Sequence, residues 1–258
     1  MPAGHVRLTR FKQSVMSTFS SWLDEGGLGQ YLLQSEQAYF DAAVADAFGF
    51  RALQFGAPGH DFLRANRMPW RACIGDSGAV AVRCDAAQLP IDSRSLDLLL
   101  LPHTLDFTAH PHQVLREAER VLVPEGRLVL TGFNPFSAWG GRRLLQGRST
   151  VPWSGNFLRL SRLKDWFELL GFELSDSVFM CYAPPLDRQD WLAHWQFMER
   201  VGHRCWPLVA GVYGLSAIKR QRGMRLIKPR WQARVPVANL AVLGDRRHAV
   251  DNPHDETL

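Results

Sequence analysis

The stretch that decides the fold is CDAAQLPIDSRSLD, residues 84–97, which leads into the apolar run Leu98–Leu101. A run of this length suits a buried strand and is far too short to cross a membrane. Asp85 stands directly after the short apolar segment Ala79–Cys84, where a strand is expected to end. The stretch therefore predicts two strands joined by a polar turn, with a carboxylate at the end of the first.

Working outward, strands and helices alternate along the chain. Strands are predicted at Ala52–Phe55, Ala72–Gly75, Ala79–Cys84, Leu96–Leu101, Arg127–Thr131, Phe172–Phe179 and Val212–Ile218. One helix is predicted to begin at Pro111, and another runs from a capping Ser161 to Gly171. This alternation predicts an α/β fold in which helices cover both faces of a largely parallel sheet.

Three regions follow from the pattern. Residues 1–50 are predicted to be an N-terminal helical cap, residues 51–222 the main domain, and residues 223–258 a basic tail. The main domain carries two long insertions, residues 136–157 and 183–209, both rich in tryptophan. Such insertions are either lids over a binding site or cover for an inserted helix, and the sequence leaves both interpretations open.

Composition excludes several classes of protein. The four cysteines are scattered, so buried free thiols are expected rather than a metal site or a disulfide framework; they are Cys73, Cys84, Cys181 and Cys205. The first residues lack the apolar segment of a secretory signal, and we expect no transmembrane segment and a cytoplasmic location.

The positive charge is concentrated near the C-terminus. Between Lys219 and Arg247 there are nine Lys or Arg residues and one acid, Asp245. Pro229 and Pro236 interrupt this segment, so it is expected to contribute little to folding. It is interpreted first as a solvated extension, with contact to nucleic acid or an anionic membrane surface as the alternatives.

Residues 84–97 resemble the strand-end pattern G-D-A-x-x-L-P-F-x-D-x-S-F-D of class I S-adenosylmethionine-dependent methyltransferases, in the branch with ubiquinone and menaquinone biosynthesis enzymes. Residues 116–130, REAERVLVPEGRLVL, resemble that family's R-E-x-x-R-V-L-k-P-G-G-x-l-v-i, and Gly171-Phe172-Glu173 resembles its a-G-F-x. The resemblance covers roughly residues 52–220. It implies a Rossmann-like sheet of seven strands with the final strand antiparallel, S-adenosylmethionine as cofactor, and methyl transfer to an acceptor, which we expect to be a small molecule.

The first cofactor loop departs from the family pattern h-D-h-G-x-G-x-G. The corresponding residues 53–60 are LQFGAPGH, so that only Gly56 stands in register. Gln54 replaces the acid, while Pro58 and His60 replace the second and third glycines. Glycines let the backbone turn sharply and approach the ligand, whereas proline fixes φ and lacks an N–H group.

The resemblance implies a set of cofactor-binding residues. They are Gln54, Gly56, Ala57, Gly59, Asp76, Asp85, Ala86, Leu101 and His103. Asp85 would accept a hydrogen bond from the adenine amino group, and Ala86 would lend its backbone to the ring. Asp76 would bind the ribose hydroxyls. Each aspartate has a simpler interpretation as a turn residue, and that alternative stays open.

His103 follows the fourth predicted strand and is either a general base, a residue that packs on the ligand, or a structural histidine. No catalytic side chain is assigned, because a sulfonium methyl donor is already activated and the protein mainly has to align the acceptor. Three functions remain: a methyltransferase, a related protein that acts through protein contacts without catalysis, and a nucleic-acid modifier that uses the basic tail.

Overall fold

The computed structural model describes residues 5–147, 150–186 and 209–220. Two long helices open the chain, α1 (His5–Asp24) and α2 (Gly26–Ala45). They are separated at Gly26, whose φ of 77° ends one helix and redirects the backbone before the next. The expected tail, residues 223–258, lies outside the described residues, as do most of the second insertion and Cys205.

The remaining elements alternate as predicted. The strands are β1 (Arg51–Phe55), β2 (Trp70–Ile74), β3 (Leu96–Leu101), β4 (Leu122–Phe133), β5 (Phe172–Met180) and β6 (Val212–Lys219). The helices are α3 (Thr104–Phe107), α4 (Pro111–Val121), α5 (Ala138–Gln146) and α6 (Leu160–Leu170). The strand order is β2-β1-β3-β4-β6-β5, with β6 antiparallel to both of its neighbours and the other pairs parallel. The α/β fold and the antiparallel final strand are therefore confirmed.

One predicted strand is not formed, so the described residues contain six strands and not seven. Within Ala79–Cys84, pairing with the end of β2 is limited to a single parallel bridge between Gly75 and Arg83. Ala81 and Arg83 are exposed, and Val82 is 46% exposed. A strand at the sheet edge gains stability by burying one face, and in this segment only Val80 and Cys84 are half-buried while the other four residues are exposed.

Successive residues of the central strands point to opposite faces of the sheet, as strand geometry requires. Leu98 and Leu100 of β3 pack with α1 and α2 on one face. Leu99 and Leu101 pack with α4 and α6 on the other face. The result is a three-layer arrangement with a hydrophobic core on each side of the sheet.

Helix α2 lies so close to the sheet that a side chain is excluded at Gly214 of β6. A Cβ atom at Gly214 would be 2.5 Å from Cζ of Tyr39, which is itself buried. We therefore expect Gly214→Ala to lower the free energy of unfolding by roughly 1–3 kcal/mol, because both the strand and the ring are held by their neighbours.

Gly141 of α5 provides the matched control, since nothing lies within 4 Å of the Cβ position there. Gly141→Ala should raise the free energy of unfolding by up to about 1 kcal/mol through helix propensity alone. Urea unfolding of both variants tests the difference. Equal effects of the two substitutions would contradict the close packing of α2 on β6.

Candidate active site

The carboxyl ends of β1, β3 and β4 form the edge of the sheet where ligands bind in open α/β folds. The chain passes from β1 outward to β2 and then returns to β3 on the other side of β1, so the point where the topology reverses lies between β1 and β3. Hydrogen bonds to or from side chains link the ends of these strands. The Thr104 hydroxyl donates to the Phe55 carbonyl at 3.3 Å, and the His103 N–H donates to Thr131 Oγ1 at 3.3 Å.

The altered loop after β1 is held by Gln54, which is buried. Its amide nitrogen donates to the carbonyl oxygens of Gly56 at 3.0 Å and His60 at 2.8 Å, and its amide oxygen accepts from the Phe62 N–H at 3.0 Å. Gly56 and Ala57 both have positive φ angles, 86° and 48°. Gln54 thus satisfies the backbone of a loop that turns through the left-handed region at two successive residues.

Pro58 fits against Gly78 in the next loop. A Cβ atom on Gly78 would be 2.5 Å from Cγ of Pro58, and φ of Gly78 is 83°. The proline ring therefore uses space that only a glycine leaves free. Two of the three residues that depart from the family pattern in this loop, Gln54 and Pro58, therefore make specific contacts.

Asp76 and Asp85 lie at the β2 side of the same edge. Asp76 is half-buried and accepts a hydrogen bond from the Ser77 hydroxyl at 2.8 Å. Asp85 is exposed, and its Oδ1 accepts from the Ala87 N–H at 2.9 Å, as in an aspartate turn. Burial raises the pKa of Asp76, and the nearby charge of Asp85 adds to the effect while the Ser77 hydrogen bond opposes it. The two carboxylates are therefore near enough for their charges to interact.

Helix α1 covers the other half of the edge. Cε of Met16 lies 2.6 Å from the position that a Cβ on Gly56 would occupy, so the thioether fills the space above this glycine. Ser20 Oγ lies 3.8 Å from the corresponding position on Gly59. The ring of Phe19 lies 5.1 Å from that of His103. The part of the edge nearest Gly56 is consequently packed with side chains from α1.

His103 is fully buried between two carboxylates. Its Nδ1 lies 2.8 Å from Oδ2 of Asp106, and this oxygen also accepts from the Phe133 N–H at 3.0 Å. Its Nε2 lies 3.0 Å from Oε1 of Glu36 on α2. The second contact is an ion pair by distance without the alignment of a hydrogen bond, and both oxygens of Glu36 lack a hydrogen-bond partner. Glu36, His103 and Asp106 form a buried cluster, here termed the histidine cluster.

The backbone at His103 lies in the left-handed region, with φ of 47°. This conformation costs a residue with a side chain about 1–2 kcal/mol, and the histidine cluster holds it in place. Burial alone would lower the pKa of His103, but the charge of Glu36 and the hydrogen bond to Asp106 outweigh it and raise the pKa to about 9. The raised pKa of His103 favours the protonated imidazolium at neutral pH.

The fold brings several of the predicted residues together at one edge. Gln54, Gly56, Ala57, Leu101 and His103 are buried there, Asp76 is half-buried, Asp85 and Gly59 are exposed, and Ala86 is buried beside Asp85. Sequence reasoning did not identify Met16, Phe19, Glu36 or Asp106. Glu36 could have been identified from the sequence, because it lies on the apolar stripe of α2 between Leu32 and Phe40, where an apolar residue is expected.

The described residues also bear on three other features: metal binding, disulfide bonds and membrane-spanning helices. Within residues 5–147, 150–186 and 209–220, no group of three or more His, Cys, Asp or Glu residues is arranged to hold a metal ion. Cys73, Cys84 and Cys181 are free thiols. None of the helices described is long and apolar enough to cross a membrane.

The raised pKa of His103 predicts how stability depends on pH. Because the folded value of about 9 lies above the ordinary 6.5, the stabilisation is complete below pH 6.5 and is lost as the pH rises through 9. We expect the free energy of unfolding to fall by on the order of 2–3 kcal/mol across this window. Glu36→Gln, which removes one flanking charge, should flatten the profile. Urea unfolding at a series of pH values measures both, and a flat wild-type profile would show that His103 is neutral in the fold.

The family model for the methyltransferase domain matches residues 61–130. This match begins just after the altered loop and includes Asp76, Asp85 and His103. An uncharacterized protein of Escherichia coli (strain K12), YafS, is 45% identical over 96 residues, which is 37% of this chain. The matched segment spans 40% of the length of that relative.

Solved structures share the fold at low sequence identity. One chain of a complex between the Haloferax volcanii Trm112 methyltransferase activator and a candidate methyltransferase aligns with a TM-score of 0.59 at 13% identity, over 81% of this chain and 99% of that chain. The [4+2]-cyclase SpnF aligns with a TM-score of 0.51 at 18% identity, over 72% of this chain and 80% of the other. Residues 61–130 thus match the methyltransferase domain family, and the chain is identified as having the class I, Rossmann-like methyltransferase fold.

Proposed function

We propose that this protein binds S-adenosylmethionine at the carboxyl edge of β1 and transfers its methyl group to a small-molecule acceptor. The observation that carries the proposal is the pair of neighbouring carboxylates, Asp76 and Asp85, at the carboxyl edge of the sheet on the β2 side of β1. Ligands of open α/β sheets bind at the carboxyl edge, close to the point where the topology reverses. The match to the methyltransferase domain over residues 61–130 supports the same reaction.

The nucleoside half of the cofactor fits the residues present. Asp85 is exposed, and its bond to the Ala87 N–H leaves further acceptor capacity on the carboxylate for the adenine amino group. Ala86 follows it in the chain, where its backbone would meet the ring. Asp76 would accept from the ribose hydroxyls. In this assignment Gln54 holds the loop rather than the ligand, because its amide already bonds to four loop residues.

The methionine half fits only after a movement of α1. Met16 fills the space above Gly56 and Phe19 packs on His103, so the cofactor and these side chains compete for one volume. Both are carried by a helix that ends at Asp24, immediately before the turn at Gly26. We assign α1 the role of a cover that shifts, or whose Met16 changes rotamer, when the cofactor enters.

The bound cofactor supplies an activated methyl group, so the chain's own residues have to orient the acceptor and exclude water. The aromatic side chains near His103 are suited to the second task, because Phe19 and Phe133 pack against the imidazole and Phe107 packs against Phe19. The raised pKa of His103 favours the protonated form at neutral pH, which is poorly suited to accept a proton. We therefore assign His103 a positioning role rather than that of a general base.

The packing of α1 also favours a second function, a protein of the same fold that acts through contacts with other proteins and does not turn over a methyl donor. In that case the contacts of Gln54, Pro58 and Met16 would close the loop permanently. The two functions differ in whether the edge accepts a ligand. Calorimetry with S-adenosylmethionine and S-adenosylhomocysteine separates them.

Asp85 allows a test of the proposed adenine site. Asp85→Ala removes the proposed acceptor for the adenine amino group at an exposed position, so the affinity for either ligand should fall by roughly 10- to 150-fold. Thermal stability should change little. Titration calorimetry on both proteins provides the measurement. Wild-type binding that survives Asp85→Ala unchanged would show that the adenine lies elsewhere.

Met16 allows a test of the proposed role of α1 as a cover. Met16→Ala vacates the space above Gly56, so the affinity for S-adenosylhomocysteine should rise by about tenfold relative to wild type, since less of the population has to open before binding. Met68→Ala is the matched control, because Met16 and Met68 are both 4% exposed. Each substitution should lower the free energy of unfolding by roughly 2–5 kcal/mol, but only Met16→Ala should tighten binding.

Two results would count against this assignment. Equal affinities for wild type and Met16→Ala would mean that α1 does not compete with the ligand. An absence of titratable heat in wild type, Met16→Ala and Asp85→Ala alike would favour the function without catalysis.

A further inference from the structure

Helix α5 exposes leucines on the side turned away from the domain, where an ordinary surface helix carries charged residues. Arg142 and Arg143 are half-buried and lie over aromatic rings, with guanidinium carbons 5.1 Å from the Trp153 ring and 4.9 Å from the Phe157 ring. Leu144 is 81% exposed and Leu145 is 89% exposed. The arginines thus face the protein while the leucines face outward.

Other exposed residues extend this apolar side. Ala138 and Gly141 are exposed at positions that fall on one side of the helix together with Leu145. Phe136, just before the helix, is 67% exposed. We term Phe136, Ala138, Gly141, Leu144 and Leu145 the α5 face. A contiguous apolar surface of this kind on a folded domain marks a site of contact with another molecule or a membrane.

Charge around the α5 face selects the partner. Between Glu125 and Asp165 the chain contains no acidic residue, whereas residues 137–164 contain six basic ones. One of these, Arg159, is exposed and lies 5.2 Å from the ring of Phe136, at the border of the face. Exposed leucine and phenylalanine beside arginine, with no acid in the segment, match the apolar boundary and negative headgroups of an anionic bilayer.

We propose that the α5 face docks on the surface of an anionic lipid membrane. The leucines would enter the boundary between headgroups and acyl chains, while Arg159 remains among the phosphates. The helix has nine residues and lies on the domain rather than crossing the membrane. This proposal rests on α5 alone and holds whether or not the edge of the sheet binds S-adenosylmethionine.

Sedimentation of the full chain with vesicles tests the proposal. Binding is expected to vesicles of phosphatidylcholine with phosphatidylglycerol, and much weaker binding to pure phosphatidylcholine. Leu144→Ser combined with Leu145→Ser should weaken binding to the anionic vesicles by at least about tenfold, because two exposed leucines lose their burial in the membrane. Leu169→Ser on α6, where the leucine is 77% exposed, is the matched control and should bind like wild type.

Three results would overturn the proposal. Binding that the double substitution leaves unchanged would assign membrane contact to charge elsewhere in the chain. Equal loss in Leu169→Ser would mean that the effect is not specific to α5. A wild-type dimer in light scattering that the double substitution converts to a monomer, without vesicle binding by either, would show that the face covers a second copy of the chain.

Discussion

The contact between His103 and its two carboxylates ties the helices at the start of the chain to the sheet. A buried imidazolium is tolerated only with partners close by, because taking an unpaired charge out of water is very costly. Asp106 comes from the segment just after β3, but Glu36 comes from α2, a helix that the chain completes before the first strand begins. Placing α2 over the strand ends is thus a requirement of the site as well as of the core.

Much of the fold could be predicted because its signals are local. The apolar run at Leu96–Leu101 and the helix beginning at Pro111 each show a period or a boundary that the structure reproduces. The segment Ala79–Cys84 shows the limit of this reasoning. Its alternation of small apolar residues is compatible with a strand, but whether a strand forms depends on a covering layer that is remote in sequence, and Val82 has none.

The site was predictable only in part, for the same reason. The pattern around Asp85 predicted a strand end, but no strand forms at Ala79–Cys84 and Asp85 lies in a turn, near enough to Asp76 for the two charges to interact. Periodicity in α1 indicates that one side is buried without indicating against what, so the contact between Met16 and Gly56, forty positions apart, left no trace in the sequence. Gln54 and Pro58 depart from the family pattern, yet each makes a specific contact in this chain. Gln54 bonds to the Phe62 N–H and Pro58 packs against Gly78, and neither contact can be inferred from the pattern alone.

The position of α1 links conformational stability to ligand binding. Met16 and Phe19 belong to the hydrophobic core, so in the proposed function a ligand that displaces them would lose their burial before it contributes contacts of its own. Displacing these side chains from the core costs free energy, which reduces the net free energy of binding. The ligand would then raise the melting temperature by less than its own contacts suggest. A ligand screen that scores thermal stabilisation alone would rank true ligands of this edge too low, whereas a direct measure of occupancy would not.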